Sequence, residues 1–293
     1  MARSEITRMN PCSVCASGQG RRVFDLEGYG VSRCGRCSHL FVSNGLAAGA
    51  LAAADGPEYY DAGGAADGVG YQDYLRDAEL RTRGFKERLK QIETWVGKRG
   101  RLLDYGCAVG LFVKVAAESG WHATGYERSE WAAQYGRDHY GLDIVLGDGR
   151  SAPAFEGRFD VVTMWDVIEH LEHPRDVVES ISKWLEPGGL LALNAVNSSS
   201  VGARLAGRHW RHLAPPHHLQ YFSRASLRRL LNDCGFDVVS RQNQGVMLTA
   251  DGRKQGLRGV AGWTEARSTH WRAKPLATAL NLLDEIEMIA VRR

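Results

Sequence analysis

Short apolar runs alternate with stretches of helical periodicity between residues 101 and 240, and this alternation constrains the fold more than any other feature of the sequence. The predicted strands are 102–105, 123–126, 144–146, 159–164 and 190–196. The predicted helices between them are 111–119, 130–138 and 174–185. Such alternation is typical of a parallel sheet with crossover helices. A helix at 223–234 and strands at 236–240 and 288–291 complete a predicted α/β doubly wound, seven-stranded sheet, with helices on both faces and its last two strands antiparallel.

Four of the six cysteines form two pairs near the N-terminus, Cys12-x2-Cys15 and Cys34-x2-Cys37, with 18 residues between the pairs. This spacing is typical of a four-thiolate zinc ribbon. The segment is rich in glycine and has too few apolar residues to hold itself together. We therefore predict a small ribbon closed by a structural Zn²⁺, in preference to four unconnected buried cysteines.

Composition divides the chain into three parts. Residues 1–43 form the predicted zinc ribbon, and residues 44–98 form a linker rich in Ala and Gly followed by one or two amphipathic helices. Residues 99–293 form the predicted main domain. Lys and Arg total 37 against 34 Asp and Glu, a net charge of +3. No run of like charges indicates a nucleic-acid-binding arm, and no apolar run approaches the roughly 20 residues of a membrane span, so we expect a cytoplasmic protein.

The first predicted strand leads into a glycine-containing turn, Asp104-Tyr105-Gly106-Cys107-Ala108-Val109-Gly110-Leu111. A dinucleotide fingerprint requires glycine at 108 and Gly or Ala at 111, so this turn disfavours NAD. Asp104 suits a ligand that carries an ammonium group. Glu127 ends the second strand, where a carboxylate can accept ribose hydroxyls, and Asp148 ends the third, within reach of an exocyclic amine.

These three acids and the glycine turn resemble the class I S-adenosylmethionine-dependent methyltransferases over residues 101–293. The resemblance implies a Rossmann-like methyltransferase sheet and S-adenosyl-L-methionine as cofactor. It places Glu127 at the ribose and Asp148 with Gly149 near the adenine, while Ala108 departs from the family's glycine-rich pattern. The predicted cofactor-binding residues are Asp104, Gly106, Cys107, Ala108, Gly110, Glu127, Arg128, Asp148, Gly149, Trp165 and Asp166.

The fourth strand and its continuation, residues 159–174, read FDVVTMWDVIEHLEHP. This segment is similar to the corresponding one in ubiquinone-type and related small-molecule methyltransferases, where the strand end flanks the transferable methyl group. It differs from the Asn-Pro-Pro-Tyr of methylases that act on base and glutamine nitrogens. We therefore expect a small-molecule methyl acceptor, with nucleic acid disfavoured as substrate.

Methyl transfer from a sulfonium depends mainly on positioning, but a hydroxyl acceptor also needs a base to take its proton. His170, just past the active strand end, is the favoured base. His217 and His218 are the alternatives, since they follow Pro215-Pro216 in an insertion at 197–222 that we predict to form a lid over the acceptor. A catalytic metal at these histidines stays open. A second insertion at 245–281 is expected to extend the lid or to form a homodimer contact.

The sequence thus predicts a methyltransferase with an N-terminal zinc ribbon, acting on a hydroxyl of a small molecule in secondary or cofactor metabolism. The ribbon also resembles that of sugar C-methyltransferases of antibiotic pathways, which carry an additional C-terminal domain. Methyl transfer to carbon or nitrogen of a sugar or another metabolite is therefore an alternative. A third alternative is a non-catalytic binding module, in which the ribbon docks on nucleic acid or protein beside a degenerate cofactor fold.

Overall fold

The computed structural model describes residues 10–44, 56, 60, 74–148, 155, 159–242 and 284–293. The second predicted insertion, most of the predicted linker and Gly149 lie outside these residues. Along the chain the strands are β1 (Gly20–Leu26), β2 (Tyr29–Cys34), β3 (Leu40–Val42), β4 (Arg101–Tyr105), β5 (His122–Glu127), β6 (Ile144–Leu146), β7 (Phe159–Met164), β8 (Leu185–Val196), β9 (Gln220–Tyr221), β10 (Phe236–Gln242) and β11 (Glu285–Arg292). The helices are α1 (Ala78–Glu93), α2 (Leu111–Glu118), α3 (Glu130–Tyr140), α4 (Pro174–Trp184), α5 (Val201–Ala206) and α6 (Arg224–Asp233).

Seven of these strands form one sheet in the order β10–β11–β8–β7–β4–β5–β6. The pairs β4–β5, β5–β6, β4–β7 and β7–β8 are parallel, whereas β11 runs antiparallel to both β8 and β10. This topology confirms the predicted Rossmann-like sheet. The central strands β4 and β7 are almost wholly buried because helices cover both faces, which explains why their sequences are mostly apolar.

The start of one strand of the large sheet differs clearly from the prediction. Strand β8 begins at Leu185, five residues before the predicted start, because Leu185 pairs with Phe159 of β7 ahead of an irregularity in the register. Among the described residues of the segment in which one or two amphipathic helices were predicted, there is one helix, α1. Its buried side chains, Phe85, Leu89 and Ile92, pack with the apolar side chains of α2.

The other sheet has four strands in the order β1–β2–β3–β9. Its first three strands come from the cysteine-containing segment, but β9 comes from the insertion at 197–222. Leu40 pairs with Tyr221 and Phe41 with Gln220. The insertion predicted to form a lid is therefore joined to the cysteine-containing segment by backbone hydrogen bonds.

The cysteine-containing segment also packs against the large sheet. Cys12, Val14 and Phe41 belong to the same hydrophobic cluster as Phe222 and Leu227. The core thus continues from the large sheet into the N-terminal segment.

Among the described residues, no helix has the length and apolar character needed to span a lipid bilayer.

Candidate functional site

The four paired cysteines lie together at one end of the small sheet. The Sγ atoms of Cys12 and Cys37 are 3.5 Å apart, as are those of Cys15 and Cys34, and all four lie within 4.8 Å of one another. Tetrahedral Zn–S bonds of about 2.3 Å place sulfurs about 3.8 Å apart. Burial raises the pKa of the Cys15 thiol, so a cation is needed to stabilise four thiolates there. The donor set therefore fits one tetrahedral zinc ion.

A crevice of about 380 Å³ lies at the carboxyl ends of β4, β5 and β7. Ligands of doubly wound sheets bind at this edge. The sequence-predicted residues that line it are Asp104, Gly106, Cys107, Ala108, Glu127, Arg128, Asp148, Trp165, Asp166, His170 and His217. Two other predicted residues, Gly110 and His218, are described but do not line it. The structure thus brings eleven predicted side chains and backbone positions to one crevice.

The turn between β4 and α2 requires left-handed backbone at three positions. Gly106 has φ +78°, Ala108 has φ +51° and Gly110 has φ +83°. A Cβ on Gly106 would lie 2.6 Å from Cγ2 of Val167, so glycine is required by packing as well as by φ. Gly110 immediately precedes α2, and a Cβ at this position would clash with Leu142. Glycine at 110 therefore permits close packing at the start of α2 and does not line the crevice.

Glu127 anchors this turn to the end of β5. Its carboxylate accepts hydrogen bonds at 2.8 Å from the backbone N–H groups of Ala108, Arg128 and Ser129. Burial raises the pKa of Glu127, and the three N–H donors oppose that rise. The Ala108 bond explains how an alanine is held in a left-handed conformation at this position.

Asp104 lies at the floor of the crevice with 3% of its surface exposed. The Thr163 hydroxyl donates a hydrogen bond of 2.7 Å to its carboxylate. Burial raises the pKa of Asp104 to about 7, although the Thr163 hydrogen bond opposes the shift. A cationic group bound beside it would stabilise the ionised carboxylate.

Asp166 and Trp165 follow β7 directly. Asp166 has φ +56°, and its backbone N–H donates to Asn194 Oδ1 at 2.7 Å while the Asn194 amide donates back to its carboxylate at 2.5 Å. The guanidinium of Arg88 lies 4.6 Å from the Trp165 ring centroid. These contacts fix both side chains at the centre of the crevice, between β4 and β8.

Three histidines lie beside this strand end. His170 ends a 3₁₀ turn, Ile168–His170, and its Nδ1 lies 2.7 Å from the carbonyl oxygen of His217. The Nδ1 of His218 lies 2.8 Å from the carbonyl oxygen of His212. A carbonyl accepts, so each Nδ1 carries the proton and each Nε2 has a free lone pair. Burial lowers the pKa of His170, so its neutral form predominates at pH 7 and can accept a proton.

Glu169 adds a carboxylate to the same cluster. It is 2% exposed, and within the described residues its Oε2 has no hydrogen-bond partner. Burial raises its pKa well above the ordinary value. Ligand atoms of Glu169, His170 and His218 lie within 4.8 Å of one another. This set could hold a divalent cation, so the geometry is compatible with either a general base or a metal.

Part of the crevice wall was not predicted. Tyr60, Tyr74 and Arg81 line one side, with the Arg81 guanidinium 4.4 Å from the Tyr74 ring centroid. Tyr60 also stacks on Trp131 at 5.4 Å. Tyr60 lies in the segment predicted to be a linker. The two adjacent aromatic residues in the sequence Pro-Glu-Tyr-Tyr at 57–60 are the sequence feature that could have indicated a packed position there. Glu172 and His173, just before α4, and Asp176 in its first turn also line the crevice.

Comparison with known proteins shows similarity to methyltransferases in both sequence and structure. Residues 74–241 match a family model described as a methyltransferase domain. A mitochondrial ubiquinone biosynthesis O-methyltransferase from Schizosaccharomyces pombe is 32% identical over 137 residues, 43% of this chain and 46% of the relative. The chain spans about half the length of the curated relatives it matches.

Solved structures share the fold. An S-adenosylmethionine-dependent methyltransferase from Mesorhizobium loti matches 72% of this chain and 100% of its own, with a TM-score of 0.52 and 16% identity. A magnesium protoporphyrin IX methyltransferase from Synechocystis, crystallised with S-adenosylhomocysteine, matches 78% of this chain and 91% of its own, with a TM-score of 0.50 and 14% identity.

Proposed function

Because the chain belongs to the methyltransferase-domain family that its residues 74–241 match, we propose that it transfers a methyl group from S-adenosyl-L-methionine to a hydroxyl of a small molecule. The observation that carries the proposal is the meeting of Asp104, Glu127, Asp148 and His170 in one crevice. The ubiquinone biosynthesis O-methyltransferases among its relatives favour an oxygen acceptor over carbon or nitrogen.

The cofactor supplies an electrophilic methyl group on a sulfonium. Asp104 would hold the ammonium group of its methionine part, beside the turn at Gly106–Ala108. Glu127 and Arg128 would bind the ribose, and Asp148 would bind the adenine. Cys107 precedes Ala108 in the turn and also lines the crevice. Two rings, Trp165 and Phe112, form an apolar wall of the crevice that would exclude water from the methyl group, and Asp166 lines the crevice beside Trp165.

His170 would take the proton of the acceptor hydroxyl while the hydroxyl oxygen bonds to the methyl carbon. The bond between that carbon and the sulfonium sulfur would break, and S-adenosylhomocysteine would leave as a neutral thioether. His170 Nε2 has a lone pair for this proton because its Nδ1 is held by the His217 carbonyl. His217 lines the crevice and orients the acceptor, whereas His218 lies behind them and supports the ring of His170, with centroids 4.9 Å apart. The thiolates of Cys12, Cys15, Cys34 and Cys37 would hold a structural Zn²⁺.

The proposal is tested by titrating the full chain with S-adenosylhomocysteine in a calorimeter, with NADH as a control ligand. We expect one-to-one binding that Glu127→Ala weakens at least tenfold, because both the ribose contact and the anchor of the turn are lost. Glu130→Ala is the matched control, since Glu130 is exposed on the adjoining helix α3. If the wild-type chain does not bind S-adenosylhomocysteine, the methyltransferase proposal is wrong.

A further inference from the structure

The side chain of Gln220 joins the cysteine-containing segment to the histidines of the crevice. Gln220 is 3% exposed and lies in β9, two residues after His218. Its Oε1 accepts from the Ser13 hydroxyl at 2.6 Å and from His39 Nε2 at 3.0 Å. Its Nε2 donates to the carbonyl of Leu171 at 2.9 Å and to that of Glu172 at 3.4 Å. All four hydrogen-bonding positions of the amide are thus used.

Both groups that donate to Gln220 come from the two cysteine pairs. Ser13 lies between Cys12 and Cys15, and His39 follows Cys37 by two residues. His39 is fully buried and its ring lies 4.7 Å from that of Phe222. Arg175 donates to the carbonyl of Val14, which fixes the first pair to α4 from the other side. The position of Gln220 therefore depends on the conformation that the four cysteines adopt.

Both groups that accept from Gln220 follow His170 directly in the chain. Backbone hydrogen bonds link the same elements as the side chain of Gln220. The N–H of Val42 donates to the Leu219 carbonyl, and the N–H of Leu219 donates to the Glu169 carbonyl. These bonds, at 2.9 and 2.8 Å, bring β3, β9 and the 3₁₀ turn of His170 into one hydrogen-bonded stack. His170 is in turn held by the carbonyl of His217.

We infer that Gln220 is a positioning residue through which metal occupancy of the cysteine cluster sets the placement of His170 and His217. The role of His170 in this inference rests on the proposed function. The residues predicted to bind the cofactor are held by other hydrogen bonds, not by those of Gln220. Asp104 accepts from Thr163, and Glu127 accepts from backbone N–H groups that include those of Ala108 and Ser129. Loss of the connection should therefore disturb the acceptor side and spare cofactor binding.

Two variants break the connection at its two ends. Ser13→Ala removes a donor on the cysteine side, and Gln220→Glu keeps acceptors for Ser13 and His39 but loses both bonds to the Leu171 and Glu172 carbonyls. Ser38→Ala is the matched control, because Ser38 also adjoins a cysteine pair but is exposed. Each variant is measured with zinc bound, verified by elemental analysis, so that a misfolded ribbon is recognised before any comparison.

The measurements are amide hydrogen exchange and the ¹⁵N chemical shifts of histidine, which report the tautomer of His170 without an acceptor. We expect exchange at His170 and Leu219 to rise about tenfold in Gln220→Glu, which loses two hydrogen bonds, and about threefold in Ser13→Ala, which loses one. The His170 signals should move from the Nδ1-protonated tautomer towards a mixture in both variants. Ser38→Ala should match the wild type.

Removing zinc from the wild-type chain with a chelator should reproduce the Gln220→Glu pattern at His170 and Leu219, with S-adenosylhomocysteine affinity changed less than twofold. Unchanged exchange and unchanged His170 signals in zinc-loaded Gln220→Glu, or after zinc removal, would overturn the inference. The proposed function fails separately, through the absence of S-adenosylhomocysteine binding to the wild type. The two failures are therefore distinguishable.

Discussion

Asp104 shows how burial changes the chemistry of a single crevice residue. Its carboxyl is neutral or ionised near pH 7 according to what lies beside it, because burial raises its pKa to about 7. The side chain belongs to a strand end that the sequence predicted correctly. Its protonation state was not predictable, because burial there depends on Tyr74 and α1, which pack over the crevice from an earlier part of the chain.

The first prediction concerns pH and Asp104. In the free protein, the stability contributed by its neutral form is present below the ordinary pKa of 3.8 and is lost as the pH rises through about 7. A bound ammonium favours the ionised form, so S-adenosylhomocysteine affinity should rise with pH and be about tenfold weaker at pH 6 than at pH 8.

Calorimetry in buffers of different ionisation enthalpy should show proton release on binding at pH 6. Asp104→Asn should bind weakly and show little pH dependence over this range. Proton uptake on binding, or an affinity that falls between pH 6 and pH 8, would contradict the assignment of Asp104 to the ammonium group.

The second prediction concerns His170 as the base. With a hydroxyl acceptor identified from a screen, His170→Ala should lower kcat by about 10²- to 10⁴-fold, the usual contribution of a general base. The affinity for S-adenosylhomocysteine should stay within twofold, because His170 lies on the acceptor side. His209→Ala, an exposed histidine on the same insertion as His217, should retain wild-type turnover. Wild-type turnover in His170→Ala would exclude it as the base.

At the scale of the elements, the sequence predicted the central strands of the large sheet well. Strands β4 and β7 are mostly apolar because α-helices cover both sides, and their ends are within a residue of the prediction. Strand β9 contains two residues, Gln220 and Tyr221, and carries no periodicity to detect. Its existence depends on β3 lying 180 residues earlier in the chain, a tertiary pairing that no local pattern reports.

The third prediction compares two glycines within helices. Gly136 of α3 packs so closely on the cofactor turn that an added Cβ would lie 2.8 Å from the carbonyl oxygen of Val109. Gly84 of α1 has no heavy atom within 4 Å of the same position. Alanine normally stabilises a helix by about 0.5–1 kcal/mol relative to glycine.

Gly84→Ala should therefore raise the free energy of unfolding by about that amount, whereas Gly136→Ala should lower it by about 1–3 kcal/mol through overpacking. Urea denaturation measures both. Stabilisation by both substitutions would show that α3 does not approach the turn this closely.

At the scale of the whole molecule, the N-terminal segment and the large sheet share one hydrophobic cluster. Cys12, Val14 and Phe41 contribute to it from the segment, and Phe222 and Leu227 contribute from the other side. The predicted division at residue 43 separates the cysteine-containing segment by composition. It could not show this shared core, because the cluster forms between residues that are distant in the chain and individually unremarkable in sequence.

The last prediction is that the ribbon and the large sheet unfold together. Since the shared cluster would be exposed if either part unfolded alone, calorimetry should show one transition for the zinc-loaded chain.

A metal that binds the folded state stabilises it in proportion to the logarithm of its concentration over Kd, so chelation should lower Tm by several degrees. Cys12→Ser should show the same loss without chelator, whereas Cys234→Ser, at a buried cysteine outside the set of four ligands, should keep the response to chelator. Two resolved transitions, with only the smaller responding to zinc, would show that the shared core does not couple the two parts.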